Sequence, residues 1–400
     1  MKNILMTASA LALCATAATA GGIERSSQSV GILFEEGNYI EFNAGRAKPN
    51  VSGVQEVNAG IMSLAGSNSG DMAENYNTYS LSAKFRINDK LDFALVLDEP
   101  VGADVYYPMG SSLAGFNYLY GGSTADINSL ATTAMLRYKL PNNFSVIGGI
   151  RQISTSGTVA LFNGYRMSTD TQTDYGYLIG VAWEKPEIAA RVALTYNSAV
   201  THRFNANEVF LATPALNATT VFETEIPQSV NFEGQTGIAA NTLLFGSIRW
   251  VDWSAFEIAP QQYMAAQGLV PGTNPATHSG LVSYDDDSFT YTLGIGRKFN
   301  ETWSGAVFVS HETSKGGYAG NLGPTDGQTA LGVAATYTRD NLKVTAGVRY
   351  VKIGGASTET PEQVVIGGGG SCSAGGDCGT FASFEDNHAV AFGLRVGYRF

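Results

Sequence analysis

Read at every second position, residues 388–400 carry Val390, Phe392, Leu394, Val396, Tyr398 and Phe400 on one side. Ala389, Ala391, Gly393, Arg395, Gly397 and Arg399 lie on the other. A period of two is that of a β-strand with two unlike faces. The same alternation recurs over residues 79–87 and 91–97, joined by the short turn Asn88, Asp89 and Lys90. It recurs again in pairs that flank Pro141, Asn142 and Asn143, then Lys185, Pro186 and Glu187. Further pairs flank residues 239–242, then Asn300, Glu301 and Thr302, then Arg339, Asp340 and Asn341. Each pair reads as a β-hairpin. With residues 38–46 before the hairpins and the C-terminal segment after them, the pattern predicts fourteen strands.

The connections alternate in length. Between hairpins they run over about 47–75, 99–129, 155–173, 200–226, 256–286, 313–327 and 354–385. Short turns on one side and long loops on the other, with an even strand number, are the layout of an outer-membrane β-barrel. Aromatic residues on the apolar face support it. Phe85, Tyr138, Trp183, Phe299, Trp303, Tyr337 and Tyr398 fall at the short-turn ends, and Tyr79, Tyr175, Tyr196, Phe289, Tyr291 and Tyr350 at the long-loop ends. Two aromatic belts flanking an aliphatic centre match two membrane interfaces. The expected fold class is therefore all-β, a transmembrane antiparallel barrel of fourteen strands over residues 38–400.

Composition sharpens this picture. Beyond the N-terminus no run of 18 apolar residues occurs, which excludes a helical membrane protein. Residues 1–20 place Lys2 before an apolar stretch and end on Ala18 and Ala20, the form of a secretory signal cut after Ala20. Residues 21–37 then form a short segment expected to fold into the lumen as a plug. The chain has 24 basic and 35 acidic residues, an acidic balance that argues against nucleic acid. In an exported protein, Cys372 and Cys378 within a Gly-rich loop read as a disulfide. No metal spacing, phosphate loop or cofactor motif is present.

Positions assigned to the inner face include Lys84, Arg86, Asp92, Arg137, Lys139, Arg151, Arg191, Arg249, Lys298, Lys343, Arg349, Arg395 and Arg399. A mainly basic lumen suits an anionic ligand, or pairing with the plug and loops. The third strand carries Pro100 and Gly102 where it should still lie in the membrane's outer half. Both are poor ladder residues, so either the wall breaks there or the strand has ended.

Several segments, taken in order, resemble the FadL family of outer-membrane transporters. They are residues 76–107, residues 175–200 with the stretch ALTYNSAV, residues 226–232, the Trp250, Trp253, Ser254 and Phe256 stretch, and residues 291–310. The resemblance implies uptake of long-chain fatty acids and other hydrophobic compounds across a Gram-negative outer membrane. Substrate is caught among external loops, for which residues 109–120 and 158–165 are apolar candidates. It then meets a basic residue in the lumen, best matched here by Arg151, Arg249 and Arg349, and leaves sideways at a kinked third strand, matched by Pro100 and Gly102. Residues 21–37 depart from the family, whose plug is longer and usually carries an Asn-Pro-Ala stretch. The ending at Phe400 resembles the signal read by the barrel assembly machinery. Expected surroundings are outer-membrane lipid and lipopolysaccharide, with the protein a monomer.

Two other functions are compatible with parts of this pattern. A diffusion porin for small polar anions would use the basic lumen as an open pore. An outer-membrane lipid hydrolase would need a nucleophile beside a base, yet Ser310 and His311 are adjacent in a strand and point to opposite faces. The remaining histidines, His202, His278 and His388, read as loop or rim residues. The expectation is a transporter, not an enzyme, with no cofactor.

Overall fold

The computed structural model describes residues 23–60, 62–109, 117–268, 280–368 and 378–400. The signal segment and Cys372 lie outside the described residues. Fourteen antiparallel wall strands form one closed sheet. They are β1 (Tyr39–Asn50), β2 (Tyr76–Arg86), β3 (Leu91–Asp98, resuming at Ala103–Tyr106), β4 (Thr124–Lys139), β5 (Phe144–Ala160) and β6 (Gln172–Lys185, preceded by Tyr165–Thr169). Next come β7 (Ala190–Asn197, continued by Val200–Phe210), β8 (Ser229–Ala239, preceded by Ala218–Ile226), β9 (Thr242–Val251) and β10 (Ser288–Lys298). The wall ends with β11 (Trp303–Glu312), β12 (Gln328–Arg339), β13 (Leu342–Ile353) and β14 (His388–Arg399). β1 pairs with β14 from Tyr39 opposite Arg399 to Asn50 opposite His388, so no edge is left in lipid.

Outward faces are apolar and exposed, as at Leu81, Ile150, Ile179, Leu293 and Leu331. The belt residues Phe85, Tyr138, Trp303, Tyr398, Tyr79, Tyr175 and Tyr350 are exposed among them. Such a band is stable only against hydrocarbon. All six short turns are where the alternation placed them. Phe400 closes the seam between first and last strands, its amide donating to Asn38 O at 3.0 Å and its ring meeting Phe85 at 6.2 Å.

Two expected loops are corrected. Much of residues 155–173 and 200–226 is strand: β5 to β8 run outward beyond their neighbours and join through tight turns near Asn163 and Pro214. No single alternation runs through them, because the buried phase flips partway along β6, β7 and β8. The true long loops pack on one another. Val54–Gln55, Tyr318–Ala319, Ala356–Glu359 and Thr380–Phe384 make a small external sheet. Tyr107, Tyr118, Phe381 and Phe384 form its core, and the rings of Tyr107 and Tyr118 stack at 5.4 Å. Short helices Gln261–Gly268 and Glu362–Gly367 complete the outer cap.

Residues 23–37 lie inside the barrel. Val30, Ile32, Leu33 and Phe34 pack on Ala94, Met135, Ile147 and Leu178 from four wall strands. Burying each of the four side chains is worth about 1.5–3 kcal/mol at most. Polar groups of the wall fix the backbone: Lys84 donates to Glu35 O and Gly37 O at 2.7 and 3.1 Å, and Asn231 to Ser27 O at 2.9 Å. The Arg137 and Arg191 guanidiniums sit over the Phe34 ring at 4.3 and 4.4 Å.

Candidate functional site

The third strand breaks between Asp98 and Ala103 and then resumes. Pro100 and Gly102 lie within the interruption, and the strand goes on beyond them to Tyr106. On the β4 side, Ser129 takes over from the ladder, its hydroxyl bonding both Val101 N and Val101 O. On the β2 side the ladder stops at Leu81 opposite Leu97 and resumes at a single bridge, Ala73 to Val105. Residues 23–25 fill that gap. Arg25 N donates to Pro100 O at 2.9 Å, Gly102 N donates to Ile23 O at 2.7 Å, and Glu24 bridges Val101. A Cβ on Gly102 would lie 2.6 Å from Arg25 Nε, so a larger residue there would displace the Arg25 side chain from its place over the break.

Behind the break is a mostly apolar cavity of about 180 Å³. Ile23, Val101 and Val105 form one wall, and Phe204, Phe222, Ile226, Phe256 and Leu281 another. Its carboxylates are Glu24, Glu74, Asp104 and Asp126, and the one guanidinium among its lining residues, Arg25, is paired with Asp104. Arg25 also lies 3.8 Å over the Tyr76 ring. An outer vestibule of about 1480 Å³ opens among the loops and shares Leu281, Tyr284, Leu322 and Thr325 with this cavity. Phe162 and Tyr120, from the two apolar stretches singled out in the sequence, line the vestibule; residues 110–116 lie outside the described residues. Tyr263 lines it as well, and burial pushes its hydroxyl pKa up to about 12, so the group stays neutral. On the periplasmic side of Arg25 is a second, polar chamber of about 120 Å³, lined by Ser26, Ser29, Asp98, Arg151 and Arg191.

The three lumen cations do not converge. Arg151 is 2% exposed and faces the polar chamber, where its Nε and Nη2 have no hydrogen-bond partner among the described residues. Arg249 is held by Glu24 of the N-terminal segment. Its Nε lies 3.1 Å from both Glu24 carboxylate oxygens, and Nη1 meets Ser229 and Asn231 at 3.1 and 2.6 Å. Arg349 is buried in β13 and lines none of these three spaces. Arg86, Lys298 and Arg399 sit at the periplasmic rim and keep a quarter to a half of their side chains exposed. The residues that organise the cavity, Glu24, Arg25 and Asp104, carried no alternation signal, because two precede the first strand and one follows the break. Cys378 is disulfide-bonded. Ser310 is buried and His311 exposed, so the pair does not meet. Among the described residues no cluster suited to a metal is present.

The fold has solved counterparts. The crystal structure of a FadL homologue from Pseudomonas aeruginosa matches with a TM-score of 0.71 at 14% identity, covering 92% of each chain. The toluene transporter TodX of Pseudomonas putida gives 0.60 at 10% identity over 96% of each chain. The toluene transporter TbuX of Ralstonia pickettii gives 0.57 at 10%, covering 92% of this chain and 90% of that one. No curated protein matches the sequence. The family model for outer membrane protein transport proteins (OMPP1/FadL/TodX) spans residues 31–400, nearly all of the wall and part of the segment inside it. A closed barrel with a lipid-facing band, an apolar cavity and that match together place this chain in the FadL/TodX family of outer-membrane transporters for hydrophobic compounds.

Proposed function

We propose that the protein takes up small, uncharged hydrophobic compounds from outside the cell, collecting them in the vestibule and holding them in the apolar cavity. They then leave through the wall at the third-strand break once residues 23–25 swing away. The observation that carries this reading is the cavity itself, enclosed between the break and Phe204, Phe222 and Phe256. Its volume of about 180 Å³ is close to that of apolar cavities of about 150 Å³ that hold benzene. Four carboxylates against one paired guanidinium make it a poor place for a carboxylate head. Residues 23–37 run inside the lumen from the third-strand break to the start of β1 and act as a plug, in contrast to an open diffusion porin.

A second reading, uptake of long-chain fatty acids, is favoured by Arg151. A chain lying in the apolar cavity could pass its carboxylate beyond Arg25 to the two unpartnered Arg151 nitrogens. The test is uptake of labelled toluene and labelled oleate by cells lacking their own transporter. The expected result is faster toluene uptake, abolished by Phe222→Asp in protein whose heat-modifiable gel mobility shows a folded barrel. Unchanged toluene uptake in that variant overturns the cavity assignment. Oleate uptake without toluene uptake selects the second reading.

A further inference from the structure

The wall has a second gap. β6 and β7 pair from Lys185 opposite Ala190 to Leu178 opposite Asn197. Their outer pieces pair again from Thr169 opposite Ala206 to Tyr165 opposite Phe210. The register is the same on both sides, yet no ladder joins the strands between. The cause is a mismatch of phase. On β7 the buried positions change from odd to even numbers across Ser198 and Ala199; on β6 the change falls across Asp170 and Thr171. These points are not opposite one another. Over residues 172–176 and 200–204, facing residues therefore point to opposite sides of the sheet, and a regular ladder cannot form. The neighbouring pair shows the contrast. β7 and β8 change phase at the same height, across residues 198–199 and 227–228, and their ladder continues in register on both sides.

Side chains close the gap instead. His202 Nδ1 meets Asp174 Oδ2 at 2.8 Å, and its Nε2 meets Thr155 Oγ1 at 3.1 Å, tying β5, β6 and β7 together. His202 and Thr155 are 0% and 6% exposed, whereas the Asp174 side chain is 40% exposed. Thr155, His202 and Phe204 also line the apolar cavity. Tyr175, near the inner end of the gap and 67% exposed, belongs to the outer aromatic belt, so the gap opens at the outer membrane interface and runs outward from it.

We propose that this seam is a second passage through the wall, by which small uncharged hydrophobic compounds dissolved in the outer leaflet enter the cavity directly, and that the hydrogen bond of His202 to Asp174 holds it shut. This rests on the reading that the cavity holds transported substrate. The seam can be stapled. A Cβ on Gly176 would lie 2.6 Å from Val200 Cγ2, which puts the two Cβ atoms within about 4 Å, the span of a disulfide.

The experiment compares Gly176→Cys/Val200→Cys with each single variant, oxidised and reduced, in cells given labelled toluene. Oxidation of the double variant is expected to slow uptake at least fivefold, with recovery on reduction and no effect on the single variants. His202→Ala is expected to speed uptake about threefold. Equal uptake by stapled and reduced protein overturns the passage and leaves the proposed function standing. Should the reduced protein take up no toluene, the proposed function fails. The seam is then read from amide exchange of residues 172–176, expected at least tenfold faster than at residues 178–183; equal protection overturns it.

Discussion

Glu24→Gln is the perturbation that most sharply tests how the third-strand break is kept closed. Residues 23–25 are held there by two backbone hydrogen bonds, to Pro100 O and from Gly102 N, and by the ion pairs of Glu24 with Arg249 and Arg25 with Asp104. Each backbone bond contributes about 0.5–1.5 kcal/mol. Removing one member of a buried ion pair costs about 3–5 kcal/mol, because the remaining charge is stranded. Arg249 would keep Ser229 and Asn231, and the glutamine oxygen can still accept one bond, which places the cost near the lower end. A loss of about 3 kcal/mol raises the detached population by about 100-fold, at 1.4 kcal/mol for each factor of ten. The Gly102 amide reports that population, since it is free to exchange when Ile23 leaves. Its protection in Glu24→Gln should fall by about that factor, and single-channel recordings should show brief openings that the parent lacks. Glu24→Gln combined with Arg249→Met should recover most of the protection. A change of less than threefold at Gly102 would refute the view that this ion pair fastens the segment.

Three further outcomes are expected. Arg151→Ala should cut oleate binding at least tenfold and leave toluene binding unchanged, as measured by competition with a labelled ligand; a matching loss for toluene would contradict the separate polar chamber. Hydrogen bonds from Asn205 hold the Asp170 carboxyl below the usual range. The support they give the outer end of the seam is complete above the ordinary carboxylate pKa of about 4. It is lost as pH falls through the lower folded value, visible as faster exchange at the Asn205 amide. Deleting Phe400 should slow assembly, read as a smaller heat-modifiable fraction, since its amide joins the chain end to Asn38 before β1 and its ring to Phe85 of β2.

The barrel was legible in the sequence because lipid imposes a strict period of two. Ile179, Val181 and Trp183 leave no doubt about which side of β6 faces out. Legibility failed where that constraint lapses. In the outer parts of β6, β7 and β8 the buried phase inverts, so Val200, His202 and Phe204 read as a loop although they are strand. The basic lumen was visible too, yet its partners were not. Glu24, Glu35 and Glu36 come from the segment before β1 and neutralise Arg249, Lys343 and Arg399. No local pattern announces contacts over 200 to 360 positions. The break at Pro100 and Gly102 was carried by residue type alone, because both residues are unfit for a ladder.

The most direct measurement is a crystal of the protein soaked in bromobenzene, with the bromine located by its anomalous scattering. The expected result is a single strong peak in the apolar cavity, between Val101 of the third-strand break and the rings of Phe222 and Phe256. A peak confined to the outer vestibule, or bromine beside Arg151 with the apolar cavity empty, would contradict the claim that this cavity holds the transported compound.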